Sequence, residues 1–115
     1  MTKLGDEGED IAVNYLKKRG YKVIERNHKN TFGEVDIIAL HKGTLVFIEV
    51  KTRRTDEYGM PFEAVDHRKQ EKLKKVALMY LKRLKKQVPA RFDVVSISIE
   101  DGKPGIELIT DAFEL

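Results

Sequence analysis

Three polar residues near the middle of the chain, Asp36, Glu49 and Lys51, have the types and spacing needed to hold a divalent cation against a phosphodiester. Asp36 lies in the segment Glu34 to His41, and Glu49 and Lys51 lie in Thr44 to Thr52. Both segments read as strands, separated only by Lys42-Gly43. Side chains alternate along a strand, so Leu45, Phe47, Glu49 and Lys51 share one side, and Val46, Ile48 and Val50 the other. Glu49 and Lys51 then stand ~7 Å apart on one face. If Lys42-Gly43 is the loop of a two-residue hairpin, His41 pairs with Thr44 and, counting outward, Asp36 falls opposite Glu49. Opposed Cβ atoms are about 5 Å apart, close enough for two carboxylates to share one cation.

Carboxylates so placed raise one another's pKa unless a positive charge lies between them. Magnesium (or manganese) meets that need, because such ions use one or two protein carboxylates together with phosphate oxygens and water. The cation would polarise a phosphoryl oxygen and acidify a water, while Lys51 orients that water or offsets charge on the phosphate. Glu9 is a candidate fourth member, since it precedes Ala12, Val13 and Leu16 by helical spacings and so lies on an inward stripe. The competing reading is that Glu9 simply favours the positive end of its helix dipole. As text, an acid-x-Lys triplet is weak: with 19 acids in the chain, roughly two or three are expected by chance. Asp101-Gly102-Lys103 is such a decoy, in a turn, whereas Glu49-Val50-Lys51 ends an apolar strand beside a second acid.

The elements that must position these groups can be read along the chain. A helix is expected from Asp6 to Arg19, stopped by Gly20, with Ala12, Val13 and Leu16 facing inward and Ile11 and Tyr15 alongside. A short strand, Tyr21 to Arg26, leads to a polar loop, Asn27 to Gly33, and then to the hairpin. A loop with Gly59 and Pro61 precedes a long helix, Asp66 to Lys86, capped by Asp66 and closed by Pro89. Leu73, Val76, Ala77, Tyr80 and Leu84 form its apolar stripe. The strand Arg91 to Glu100 alternates, with Phe92, Val94, Ser96 and Ser98 on one face and Val95, Ile97 and Ile99 on the other. Asp101 to Gly105 reads as a turn and Ile106 to Ile109 as a last strand. The order α-β-β-β-α-β-β, without repeat or linker, makes residues 1–115 a single α/β domain.

Bulk properties narrow the setting. With no cysteine, disulfides and thiolate-held zinc are excluded. No leader-like run opens the chain and no stretch nears the ~20 apolar residues of a membrane span, so a cytoplasmic protein without membrane contact is expected. The net charge of +3 is unevenly spread: Arg68 to Lys86 carries nine basic residues against Glu71. Such a segment attracts a polyanion or is a solvated helix face.

The segments Gly8-Glu9-x-x-Ala12-x-x-Tyr15-Leu16, Gly33-Glu34-Val35-Asp36-Ile37-Ile38-Ala39 and Val46-Phe47-Ile48-Glu49-Val50-Lys51-Thr52-Arg53 resemble the YraN-like family of uncharacterised bacterial proteins. Gly59-x-Pro61-x-Glu63-Ala64-Val65, Lys69-Gln70 and Arg91-Phe92-Asp93-Val94-Val95 extend the resemblance over nearly the whole chain. That family is similar to the restriction-endonuclease-like, PD-(D/E)XK superfamily, which includes archaeal Holliday junction resolvases. The resemblance implies an αβββαβ core, a mixed central sheet flanked by helices. It also implies that Asp36 and Glu49 ligate the metal with the backbone carbonyl of Val50, and that Lys51 serves catalysis. Glu9 would match the acid that some members carry on the first helix, and Lys69 and Gln70 the place of a further polar active-site residue. The superfamily's proline before the aspartate is Val35 here.

Around this site, Arg53, Arg54, Lys69 and Lys72 are candidates to bind phosphates of a nucleic acid, or else a solvated basic surface. Tyr58 and Phe62 stack on a base or cap the core. His28, His41 and His67 lack zinc-like spacing and read as surface or turn residues, and Tyr15 and Tyr80 as core. Three functions compete: a metal-dependent nuclease acting on DNA, branched or single-stranded; a non-catalytic nucleic-acid-binding module; and a DNA-processing interaction subunit. The acid pair favours the first, since a pure binder has no use for carboxylates facing phosphates. Related resolvases pair up, so a homodimer stays open, but no self-complementary apolar patch stands out.

Overall fold

The computed structural model describes residues 3–54, 66–100 and 103–114. Its elements are α1 (Lys3–Lys18), β1 (Lys22–Asn30), β2 (Gly33–His41), β3 (Thr44–Arg54), α2 (His67–Arg83), β4 (Ala90–Glu100) and β5 (Lys103–Phe113). The expected order α-β-β-β-α-β-β is therefore present, and the fold is α/β, consistent with a restriction-endonuclease-like core. The five strands form one mixed sheet in the order β1-β2-β3-β4-β5. Neighbours are antiparallel except β3 and β4, which run parallel and so need the crossover that α2 lies on.

The two helices cover opposite faces. Ala12, Val13 and Leu16 of α1 pack with Tyr21, Ile37, Ala39, Val46, Ile48, Val95 and Ile97. Leu73, Val76 and Ala77 of α2 pack with Val35, Ile38, Leu45, Phe47, Phe92 and Val94. Both helical stripes and the alternation in β4 thus fall as the periodicity requires. The central β3, buried from Leu45 to Ile48 between two paired neighbours, is apolar on both faces, as doubly covered strands are.

Local chemistry sets the ends of these elements. Gly20 adopts φ +88° after α1, with Gly20 N–H donating to the Lys17 carbonyl at 3.1 Å and Tyr21 N–H to the Leu16 carbonyl at 3.0 Å. That is a Schellman stop, and it hands Tyr21 directly to the core. Lys42 and Gly43 both have positive φ, 50° and 82°, which makes a two-residue type I′ hairpin and pairs His41 with Thr44. Asp66 caps α2, its carboxylate accepting from Lys69 N–H at 2.9 Å.

Several boundaries differ from expectation. The polar stretch Asn27 to Gly33 is not a loop: β1 continues to Asn30, paired with Gly33, and only the turn residues 31–32 lie between. An edge strand exposed on one side can carry polar residues, and a bulge between Val23 and Glu25 breaks the period-two signal. The other edge strand, β5, likewise runs well beyond Ile106 to Ile109, starting inside the expected turn. α2 ends at Arg83 rather than Lys86, because Lys85 turns to φ +58°. The loop with Gly59 and Pro61, and with it Tyr58 and Phe62, lies outside the described residues.

Candidate functional site

The hairpin register brings the acid pair together, by a route that differs in detail from a simple ladder. Paired residues run from His41–Thr44 to Ile37–Ile48, so Asp36 and Glu49 come next in line. There the regular pleat gives way. Val35 and Ile37, two residues apart, pack into opposite faces of the sheet, whereas regular alternation would put them on one. Across the strand, Asn27 takes φ +54° at the matching level of β1. The Asp36 carboxylate then fills the gap by accepting the Val50 N–H at 2.8 Å. This bond orients Asp36 toward β3.

Glu49 is 7% exposed and faces the start of α2. Burial, a hydrogen bond shared with Asp36 and the Asp36 charge together push its carboxyl up to about 8, opposed by Lys69. Burial beside a second carboxyl thus favours the protonated form of Glu49. Lys69 Nζ lies 3.1 Å from Glu49 Oε1. Lys51, half-buried on the same face, is hydrogen-bonded to Lys69, which together with burial and the Lys69 charge lowers its pKa. For Lys69 itself burial opposes the charge, but the Lys51 hydrogen bond and the charges of Glu49 and Asp36 outweigh it and raise its pKa. Of the two amines, the surroundings disfavour the charged form of Lys51 and favour that of Lys69.

The described residues hold no group of three or more His, Asp or Glu side chains suited to a metal ion. Glu9 is buried, as its stripe position required, but its Oε1 accepts from Arg26 Nε at 2.9 Å and Asn27 Nδ2 at 3.0 Å. Its charge is therefore met by a guanidinium of β1. Lys69 and Gln70 fall on the first turn of α2, and Lys69 reaches Glu49. Lys72 is exposed on the outer side of that helix, Arg53 continues β3 beyond Lys51, and the Arg54 side chain lies outside the described residues.

Beyond its resemblance, Lys69 had a signal in the sequence. It precedes Leu73 by four residues and Val76 by seven, so it begins the stripe that faces the sheet. A second polar cluster was missed. Asp93, 1% exposed, accepts from Tyr21 Oη at 2.8 Å, Arg91 Nε at 3.0 Å and Asp111 N–H at 3.0 Å. Arg91 Nη2 also reaches Tyr21 Oη at 2.9 Å and His41 Nδ1 at 3.0 Å, and His41 stacks on Tyr21. A guanidinium only donates, so Nδ1 of His41 accepts and its proton sits on Nε2. His41 is thus a packed network member and not a free turn residue. His28 too is part-buried, against Glu25 and the edge of Tyr80, while His67 is exposed. Every partner of Asp93 is met and the cluster lies on the α1 face, so it pins strands together. The clue was an acid on the Val95 and Ile97 side of β4.

Residues 8–97 match the family described as Uncharacterised protein family UPF0102. The chain belongs to the UPF0102 family. This is the YraN family to which the motifs around Asp36, Glu49 and Lys51 pointed. A UPF0102 protein of Thermodesulfovibrio yellowstonii is 50% identical over 111 residues, covering 96% of each chain. One of Geotalea uraniireducens is 52% identical over 114 residues, covering 97% of this chain and 90% of the relative. UPF0102 membership carries no stated activity. Among solved structures, Pyrococcus furiosus SfsA in complex with Ca2+ aligns with 97% of this chain and 64% of its own, at 13% identity and a TM-score of 0.38. No helix among the described residues is long and apolar enough to cross a membrane.

Proposed function

We propose that this UPF0102 protein is a magnesium- or manganese-dependent nuclease that hydrolyses phosphodiester bonds in DNA, branched or single-stranded, in the reducing cytoplasm. The observation that carries the reading is the buried Glu49 carboxyl beside Asp36, whose carboxylate is turned toward β3 by the Val50 N–H, with Lys69 Nζ 3.1 Å from Glu49 Oε1. Two hard oxygen donors held together, one of them with its pKa raised by burial and by the other, are the donor set that a small divalent cation satisfies. Asp36 and Glu49 would hold the ion with the Val50 carbonyl, and Glu9 of α1 would support the site through Asn27. When bound, the ion supplies Lewis-acid polarisation of the phosphodiester.

The chain's own groups then divide the remaining work. Lys51, whose ammonium is weakened by Lys69, would in its neutral form accept a proton from the attacking water and leave the step as the ammonium. Lys69 stays cationic and faces the charge that grows on the phosphate. Arg53, Lys72 and Gln70 would extend the polar surface along which a nucleic-acid backbone runs, with Arg54 next in the chain as a further candidate.

Labelled linear, flap and four-way DNA incubated with manganese tests this, beside Asp36→Ala and Lys51→Ala. Cleavage by the parent alone supports the nuclease. No cleavage, with DNA binding that weakens steeply as salt rises, would move the assignment to a non-catalytic binding module. Loss of both cleavage and DNA binding would favour an interaction subunit.

A further inference from the structure

α2 carries a second stripe that the core does not use. Lys75, Leu78, Met79 and Lys82 follow the spacing i, i+3, i+4, i+7 on a helix whose inward face is already supplied by Leu73, Val76 and Ala77. Leu78 is 54% exposed. Beside it sits Phe32, 47% exposed, from the β1–β2 turn. That turn is tied to α2: Asn30 Nδ2 donates to the Val76 carbonyl at 3.2 Å, and Asn30 Oδ1 accepts from Phe32 N–H at 3.0 Å. Phe32 is therefore held against the helix by hydrogen bonds and does not merely project.

Leu78 forms a ridge between two hollows. One, of about 330 Å³, is lined by Phe32, Lys75, Leu78, Met79 and Lys82. The other, of about 780 Å³, is lined by Leu78, Leu81, Lys82, Lys86, Gln87, Val88 and Pro89. Both have apolar floors, and every charge on their rims is a lysine: Lys75, Lys82 and Lys86. Exposed apolar surface that is concave and rimmed by charge marks a place of contact.

We infer that the ridge and hollows around Leu78 dock an acidic peptide segment of a partner protein, which sets one apolar side chain on each side of Leu78 and its carboxylates on Lys75, Lys82 and Lys86. The charge chooses the occupant. A second copy of the same patch would bring lysines against lysines, and a nucleic acid would match the lysines but leave the apolar floor unused. An acidic strand or helix with apolar anchors matches both. Leu78 lies nine residues beyond Lys69 on α2, ~13 Å along the axis and on another face, so the patch is accessible while the acid pair is engaged. The inference does not depend on the nuclease reading.

The test is fluorescence anisotropy with a labelled twelve-residue peptide of Asp and Glu carrying one Leu and one Phe four residues apart. Two control peptides replace either the apolar pair by Ala or the acids by Ser. Binding is expected in the micromolar range, weakened at least tenfold by Leu78→Asp and by Lys82→Glu, unchanged by Asp36→Ala, and lost with either control peptide. Both substitutions fall on exposed positions, and thermal unfolding followed by circular dichroism verifies that each variant folds. No binding at 100 µM protein would overturn the inference, as would equal binding of the Ala control. Self-association in sedimentation that Leu78→Asp abolishes would assign the patch to a second copy instead. Leu78-dependent binding to phosphatidylglycerol vesicles without peptide binding would assign it to a lipid surface.

Discussion

Lys69 Nζ stands 3.1 Å from Glu49 Oε1, a contact that joins the first turn of α2 to the central strand β3. One amine thereby governs two neighbours, because Lys69 lowers the pKa of Glu49 and also that of Lys51. Lys69→Ala is expected to move Glu49 above about 8 and to return Lys51 upward toward the ordinary lysine range. Carbon and nitrogen NMR titrations of the two side chains read both shifts. If the proposed nuclease is active, the same change lowers cleavage at neutral pH on the order of 10²-fold, the usual worth of a positioned acid–base group. A Lys51 titration unmoved by the substitution would remove Lys69 from this role.

Glu49 also links stability to pH, with a sign opposite to that of an ordinary surface carboxylate. Its folded-state pKa of about 8 lies above the ordinary 4.5, so between those values the folded chain holds a proton that the unfolded chain releases. Unfolding free energy in chelator should then fall as pH rises through this window and level off above it, by up to about 1.4 kcal/mol per pH unit from this one group. Urea denaturation of wild type and Glu49→Gln at several pH values checks it, since the variant lacks this contribution. Parallel pH curves for the two proteins would count against a raised Glu49.

Arg91 is expected to matter for stability and not for any chemistry at the acid pair. Arg91→Met removes the charge that faces the fully buried Asp93 and leaves the carboxylate with only Tyr21 and the Asp111 N–H. Breaking a buried pair from one side costs about 3–5 kcal/mol. Tyr21→Phe, which loses one hydrogen bond to Asp93, costs about 1–2 kcal/mol. The Tyr21 hydroxyl is pushed up to about 12 by burial and by Asp93, so ultraviolet titration of tyrosine should show one late group that Asp93→Asn brings down.

Gly8 marks where α1 is pressed on β3. A Cβ at Gly8 would lie 1.8 Å from Thr52 Oγ1. Gly8→Ala is expected to destabilise by about 1–3 kcal/mol through overpacking. Adding Thr52→Ala, which removes that oxygen, should recover part of the loss. A double-mutant cycle with no coupling would place the helix elsewhere.

The local and periodic parts of this protein are legible along the chain. The order of elements, the inward stripes of α1 and α2, the Asp66 cap, the Gly20 stop and the Lys42-Gly43 hairpin all depend on residues close in the chain, where backbone geometry leaves few choices. The hairpin alone was enough to put Asp36 near Glu49, because a two-residue loop admits one register. Edge strands were harder to see: β1 beyond Arg26 and most of β5 are polar, since an edge buries less and imposes less pattern.

Which distant groups meet is set by three-dimensional packing. Alternation placed Glu49 on a face, but packing of α2 on that face brought Lys69 to it and thereby lowered the pKa of Lys51. Packing of α1 on the other face gave Glu9 to Arg26 and Asn27 and separated it from the acid pair. Asp93 found Tyr21, and Arg91 found His41, from segments far apart in the chain. Such meetings depend on the crossing of whole elements and on the charges that burial forces to find partners, and neither is written in the spacing of neighbours.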